Sequence, residues 1–239
     1  MAKTTFVSGT TITSEFLNDI QTSEHIEFTP VGSGAVPTTV QSKLSEFVSV
    51  KDFGAVGVGD DHAKIQSAID AVAAAGGGEV LFENKTYTLG SRLFWRSGVF
   101  LRGAGATVLK VADGVDSPVI GIADQQTTPA ITNIGAVGIA FDGNAANSPG
   151  VIGYSGVILD PVDGAYFERC VFRNARGYGA SLQYPSSGIP DNARVKNITF
   201  MLCDFHNNGI GPATPGDTYD GIDVKNCDGL TFIRCRAYS

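Results

Sequence analysis

Between Ser49 and Leu89 the chain reads SVKDFGAVGVGDDHAKIQSAIDAVAAAGGGEVLFENKTYTL. Ile65, Ala68, Ile69, Val72 and Ala73 recur there at three- and four-residue spacing, which lays one apolar stripe along a helix. Asp60 or Asp61 can cap its start, where a carboxylate accepts orphan N–H groups and complements the helix dipole. Gly76, Gly77 and Gly78 supply a left-handed exit. A strand follows over Glu79 to Leu89, with Val80, Phe82, Tyr87 and Leu89 as its apolar members. Beyond it the helical pattern does not return. One helix followed only by short strands predicts a lid over the first turn of a coil of strands.

Three parts of this stretch carry a resemblance: Val50-Lys51-Asp52-Phe53-Gly54-Ala55, Ile65-Gln66-x-Ala68-Ile69-Asp70, and the glycine triplet before Val80-Leu81-Phe82. Together they resemble the opening of the pectate-lyase-like superfamily, which includes bacteriophage tailspikes and some alginate epimerases. The likeness covers about residues 48–239. It departs at Gly57-Val58-Gly59-Asp60-Asp61-His62, which is shorter than the usual Gly-Asp-Gly-x-x-Asp-Asp turn. The resemblance implies an all-β fold: a single-stranded right-handed parallel β-helix with an N-terminal amphipathic capping helix.

The later sequence has its own period. Tyr166–Asn174, Thr199–Asn207 and Thr231–Tyr238 share one frame, with phenylalanine at 167, 200 and 232 and cysteine at 170, 203 and 235. Ile139 holds the cysteine's place in the preceding copy, so the separations are 31, 33 and 32 residues. Stacked coils lie about 4.8 Å apart. Each phenylalanine and thiol is therefore expected beneath its own kind, pointing inward, the thiol as a small buried hydrophobe. A second frame begins at Gly156, Gly179 and Gly221. A plain coil then takes about 23 residues, and 184–194 and 208–219 read as surface insertions, which cost little stability.

Composition narrows the class. With 43% hydrophobic and 17% charged residues, the chain of 239 residues reads as folded, not disordered. A net charge of −7 argues against nucleic acid as the main partner, since phosphate binding needs clustered Lys and Arg. No apolar run is long enough to span a bilayer, and Met1–Val7 carries no signal core. The four cysteines form no Cys-x-x-Cys pair, and His25, His62 and His206 are scattered, so neither a metal site nor a cofactor is expected. Trp95, the single tryptophan, reads as a core residue.

Residues 1–47 differ in kind. Thr13 or Ser14 can cap a short helix with Phe16, Leu17 and Ile20, and Thr38 or Thr39 another with Val40, Leu44 and Phe47, across a Gly32-Ser33-Gly34 linker. Helices this short need a partner for their apolar faces. They form either a cap folded on the body or a self-associating, virion-docking segment. The resemblance favours docking, because the passage from Val40 to Gly54 is similar to the junction between a tailspike's head-binding part and its β-helix. It also implies a homotrimer that contacts other tail or baseplate proteins. Such a protein would be made in the host cytoplasm without a signal peptide, released by lysis and carried on the virion tail. An apolar end left open at Ser239 leads us to expect the front part of a longer product.

Alternation turns Val157, Leu159, Ala180, Leu182, Ile222 and Val224 inward and Ile158, Asp160, Ser181, Gln183, Asp223 and Lys225 outward. The insertions would wall a groove along that outer face. Asp220 and Asp223 are candidate catalytic carboxylates, one as acid and one as base or nucleophile, as glycoside cleavage requires. Tyr178, Ser181, Gln183 and Lys225 are candidate substrate contacts. Thr218–Asp223 is also somewhat similar to the Asn-Thr-Asp-Gly strand of polygalacturonases, without its Asn-Thr half. Alginate epimerases of this fold carry Asp-Pro-His-Asp or Asp-Pro-His-Glu after Gly-Tyr-Gly. Here Gly177-Tyr178-Gly179 precedes Ala180-Ser181-Leu182-Gln183, so epimerase activity is not expected. Lyase chemistry would draw on Arg169, Arg173, Arg176, Arg234 or Lys225. The expected function is a tailspike or tail fibre that binds host surface polysaccharide, with or without degrading it. The alternative is a depolymerase, glycosidase or lyase, acting as a free pectinase-like enzyme.

Overall fold

The computed structural model describes residues 26–44, 47–122, 130–148, 155–182, 195–210, 221–225 and 227–238. The chain divides into two units, residues 1–47 and 48–239. In the first, β1 (Glu27–Phe28) pairs antiparallel with β2 (Thr38–Thr39), which runs into α1 (Val40–Leu44). Thr39 caps this helix, its Oγ1 accepting from the Ser42 amide at 3.0 Å. The expected helix with Phe16, Leu17 and Ile20 lies outside the described residues.

The second unit opens with β3 (Val48–Ser49), a 3-10 turn at Val50–Phe53 and α2 (His62–Ala74). Ile65, Ala68, Ile69 and Val72 of α2 are buried in the same apolar core as Val50 and Val80, as their spacing requires. The two start aspartates divide their work. Asp60 Oδ1 accepts from His62 N and Gly90 N, each at 2.9 Å, and these bonds, the Gly90 one foremost, hold its carboxyl below the usual range. Asp61 makes no cap bond. Its buried carboxylate turns back to accept from Gly57 N at 2.9 Å and Val56 N at 3.4 Å, with Lys64 Nζ 3.0 Å away. The shortened turn is thus tied to the helix through Asp61. Replacing Asp61→Ala removes these charge-assisted bonds and is expected to cost about 2–3 kcal/mol, seen as a lower urea midpoint. At the other end Gly76, Gly77 and Gly78 have φ of 100°, 106° and 142°, the left-handed exit.

The stretch 79–89 is two strands, not one: β4 (Gly78–Phe82) and β5 (Thr86–Leu89). Val80, Phe82, Tyr87 and Leu89 are all buried, yet Phe82 and Tyr87 stand an odd number of residues apart. A corner between them absorbs the change of parity, which an unbroken strand cannot do.

The remaining strands are β6 (Leu93–Phe94), β7 (Val99–Val111), β8 (Ile120–Gly121), β9 (Ile131–Asp142), β10 (Val157–Ile158), β11 (Val162–Glu168) and β12 (Val171–Arg173). They continue with β13 (Ala180–Leu182), β14 (Val195–Met201), β15 (Asp204–His206), β16 (Ile222–Val224), β17 (Cys227–Ile233) and β18 (Arg236–Tyr238). Every pairing described in this unit is parallel. A first ladder joins β3, β4, β7, β9, β11, β14 and β17. A second joins β5, β7, β9, β12, β15 and β18, with β7 and β9 each crossing the corner without a break. A third joins β6, β8, β10, β13 and β16. A chain that visits three parallel ladders in the same order on every turn is a parallel β-helix. Gly138, Arg169, Leu202 and Arg234, with φ of 66°, 50°, 55° and 51°, align at the first corner, so even a leucine takes the left-handed turn there.

The interior follows the repeat. Phe167, Phe200 and Phe232 are register partners on the first ladder, stacked at 5.1 and 5.3 Å. Phe141, Phe172 and Phe205 form the same column on the second, at 5.4 and 4.7 Å. The two columns meet edge to face. At the corner between them Cys170, Cys203 and Cys235 stack as free thiols, each bonded to a carbonyl one coil back: Ala136, Phe167 and Phe200 at 3.3, 3.5 and 3.3 Å. Bonding to the Cys170 thiol and burial push the Cys203 thiol far above its ordinary range, so it is inert. Trp95 is fully buried against Phe167.

Candidate functional site

The third ladder carries the candidate residues. Val157, Leu159, Ala180 and Leu182 are buried inward, as alternation required. Ile158, Ser181 and Asp223 are register partners in successive coils and form one column on the opposite face. Lys225 follows β16, its N–H donating to the Leu182 carbonyl at 2.9 Å, and Asp160 stands two residues beyond Ile158. Tyr178 stands just before this face, its carbonyl accepting from Gly156 N at 2.8 Å in the coil behind.

Side-chain environments differ sharply along this face. Asp223 has a side chain 16% exposed and Lys225 one 59% exposed, and Asp223 Oδ2 lies 3.5 Å from Lys225 Nζ. This half-buried ion pair can accept and donate hydrogen bonds to a polyhydroxylated ligand, and its ammonium can neutralise an acidic one. Ser181, next in the column, is 6% exposed, so alternation named its direction while its burial came from the surroundings. Asp220 and Gln183 lie outside the described residues, as do insertion residues 184–194 and 211–219.

Asp160 is the residue whose state sequence reasoning missed. Read as an outward strand residue, it is 4% exposed at the corner where the third ladder passes into the first, and its Oδ1 is buried without a hydrogen-bond partner. Burial pushes its carboxyl up to about 7. The available signal was the Asp160-Pro161 pair, which ends the strand and removes a backbone donor. Asp160 and Asp223 sit two coils and two residues apart, roughly 12 Å between Cα positions at the usual strand spacings. Glycosidase carboxyls stand about 5–9.5 Å apart. The carboxyls of Asp160 and Asp223 reach that range only if the two side chains lean toward each other along the ladder.

Other candidates have structural roles. Arg173 pairs with Asp142 at 2.9 Å, and Arg176 donates to the carbonyls of Ala145 and Ser148. Arg169 pairs with Glu168. His62 Nε2 meets the Arg92 carbonyl at 3.0 Å, and His206 stacks on Tyr238 at 5.1 Å. Among the described residues no cluster of metal-ligating side chains occurs, and no helix is long and apolar enough to cross a membrane.

Comparison with known proteins agrees with this architecture. No family model matches the chain. The A-module of mannuronan C5-epimerase AlgE4 from Azotobacter vinelandii superposes with a TM-score of 0.56 at 30% identity, over 68% of this chain and 45% of that one. The tailspike of E. coli bacteriophage HK620, solved with a pentasaccharide, superposes with a TM-score of 0.70 at 19% identity, over 93% of this chain and 41% of that one. The chain has the parallel β-helix fold of these proteins. By sequence this β-helix protein is 34% identical to AlgE4 over 194 residues, 74% of its own length and 34% of that protein. It is 39% identical to the tail spike of Shigella phage Sf6 over 94 residues, 36% of its own length and 15% of that protein. It thus spans about a third or less of the curated relatives it matches.

Proposed function

We propose that this chain is part of a phage or prophage tailspike or tail fibre that binds bacterial surface polysaccharide on the outer face of its third ladder. The observation that carries the reading is the half-buried Asp223–Lys225 pair in register with Ser181 on that face. Its support is chemical: mixed charge beside a hydroxyl, on a rigid ladder, suits repeated sugar hydroxyls and acidic groups. The relatives add to it, since one is named for mannuronan and another was solved with a pentasaccharide. In this reading Tyr178 and Gln183 are further sugar contacts. Residues 1–47 dock to other tail or baseplate proteins, and three copies associate on the virion. The β-helix is right-handed, as nearly all parallel crossovers are, and α2 closes its first coil.

A second reading, depolymerase, draws on the epimerase relatives, with Asp220 and Asp223 as its acid and base. Binding of the full chain to purified bacterial capsular polysaccharides, O-antigens and polymannuronate tests both. Wild type is expected to bind one of them, and Asp223→Asn with Lys225→Ala to weaken that binding about tenfold or more, roughly 1.4 kcal/mol. Equal affinity in wild type and variant would remove the site. Release of new reducing or unsaturated ends, lost in Asp220→Asn/Asp223→Asn, would make it a depolymerase; binding without release leaves an adhesin.

A further inference from the structure

Asp160 stands apart from the other described acids of the body. It is 4% exposed and its Oδ1 has no partner, although it occupies the joint between the third and first ladders. The chain on either side of it is tightly held: Val157, Leu159 and Val162 are fully buried, and Ile131 N donates to the Pro161 carbonyl at 3.2 Å across the joint. Among the described residues, the charged groups on the neighbouring strands are committed elsewhere. Asp163 of β11 accepts from Asn197 and is register partner to Lys196 of β14, Lys225 pairs with Asp223, and Arg96 beyond β6 pairs with Asp70.

A carboxylate left in such a place loses its hydration without gaining a counter-charge, whereas a neutral carboxylic acid loses far less. We propose that Asp160 makes this corner a proton-operated joint: uncharged, it sits dry within the packed corner, and ionised, it loosens residues 157–163. The corner borders the column Ile158–Ser181–Asp223, but the proposal stands whether or not that column binds sugar.

The sign follows from linkage. The folded carboxyl holds its proton up to about pH 7, and the unfolded one releases it near 3.8, the ordinary value for an aspartate. The folded state therefore binds more protons across that window, and stability is fully present below it. As pH rises from about 4 to 7 the folded-to-unfolded ratio falls by up to tenfold per pH unit, and above 7 the loss is complete. The ordinary carboxylates, such as Asp60 and Glu79, work in the opposite sense, so the informative quantity is the difference between two proteins.

The test is urea denaturation of the full chain from pH 4 to 8, wild type against Asp160→Asn. The expected result is that the variant gains on wild type through that window by close to one proton's slope and is the more stable protein at pH 8. Parallel curves would overturn the proposal. Hydrogen exchange of wild-type amides 157–163, corrected for intrinsic rate, decides independently and covers the case in which the variant fails to fold. Protection should drop about tenfold between pH 6 and 8 there and not at 65–72 in α2; equal behaviour in the two segments would also overturn it.

Discussion

Phe172→Ala is expected to cost about 3–5 kcal/mol, lowering the thermal midpoint by roughly 10 °C, because nothing nearby can fill the space. Phe172 is fully buried, stacks between Phe141 and Phe205 at 5.4 and 4.7 Å, and takes the edges of Phe167 and Phe200 at 5.6 and 5.7 Å. Each of those rings is held by its own ladder, so the hole cannot collapse without breaking strand register. The lost energy thus includes both the transfer of the ring and the cavity left behind. Phe232, in the terminal copy of the neighbouring column, is 45% exposed and is the natural control. Phe232→Ala should cost less than half as much. Equal losses by thermal melting would mean that hydrophobic content, not enclosure within the stack, sets stability.

Gly135→Ala is the second large effect, expected at about 3 kcal/mol or more for the addition of one methyl group. Gly135 faces outward on β9, opposite Phe100 of β7 and Tyr166 of β11. A Cβ there would lie inside contact with the Tyr166 carbonyl oxygen and 2.8 Å from Phe100 Cε1. The ring can rotate away, but the carbonyl belongs to the ladder and moves only if β9 and β11 part. Adding Phe100→Ala to Gly135→Ala is therefore expected to restore little of the loss. Substantial recovery in the double variant would show that the ring, not the backbone, imposes the glycine.

Much of this architecture was legible in particular residues. The stripe Ile65–Val72 placed the helix because burial on one helical face imposes a 3.6-residue period, and the glycines after it marked its end. The frame of Phe167 and Cys170, repeated at 200 and 203 and again at 232 and 235, announced stacking, since like side chains one coil apart occupy equivalent positions. Thr39 as a cap was equally readable, because capping is a local contact. Other features were not. The corner between β4 and β5 left only a parity change between Phe82 and Tyr87. The pairing of β1 with β2 involves two residues on each side, too few for alternation to register. Asp61 matched a cap in type but spends its carboxylate on the turn behind it.

The candidate site divides in the same way. Outward alternation placed Ser181 and Asp223 in one column and Lys225 two residues beyond Asp223, because a strand's period is a property of the chain alone. How deeply each is buried, that Asp223 meets Lys225 at 3.5 Å, and that Asp160 loses water without finding a partner depend on what neighbouring coils lay against them. By itself, then, the sequence determined a stacked, coiled β architecture with one opening helix, since periodicity and repeat length are written residue by residue. The tertiary structure alone decided the charge states and pairings on the third ladder, because solvation is set by atoms distant in the chain and brought close only by winding.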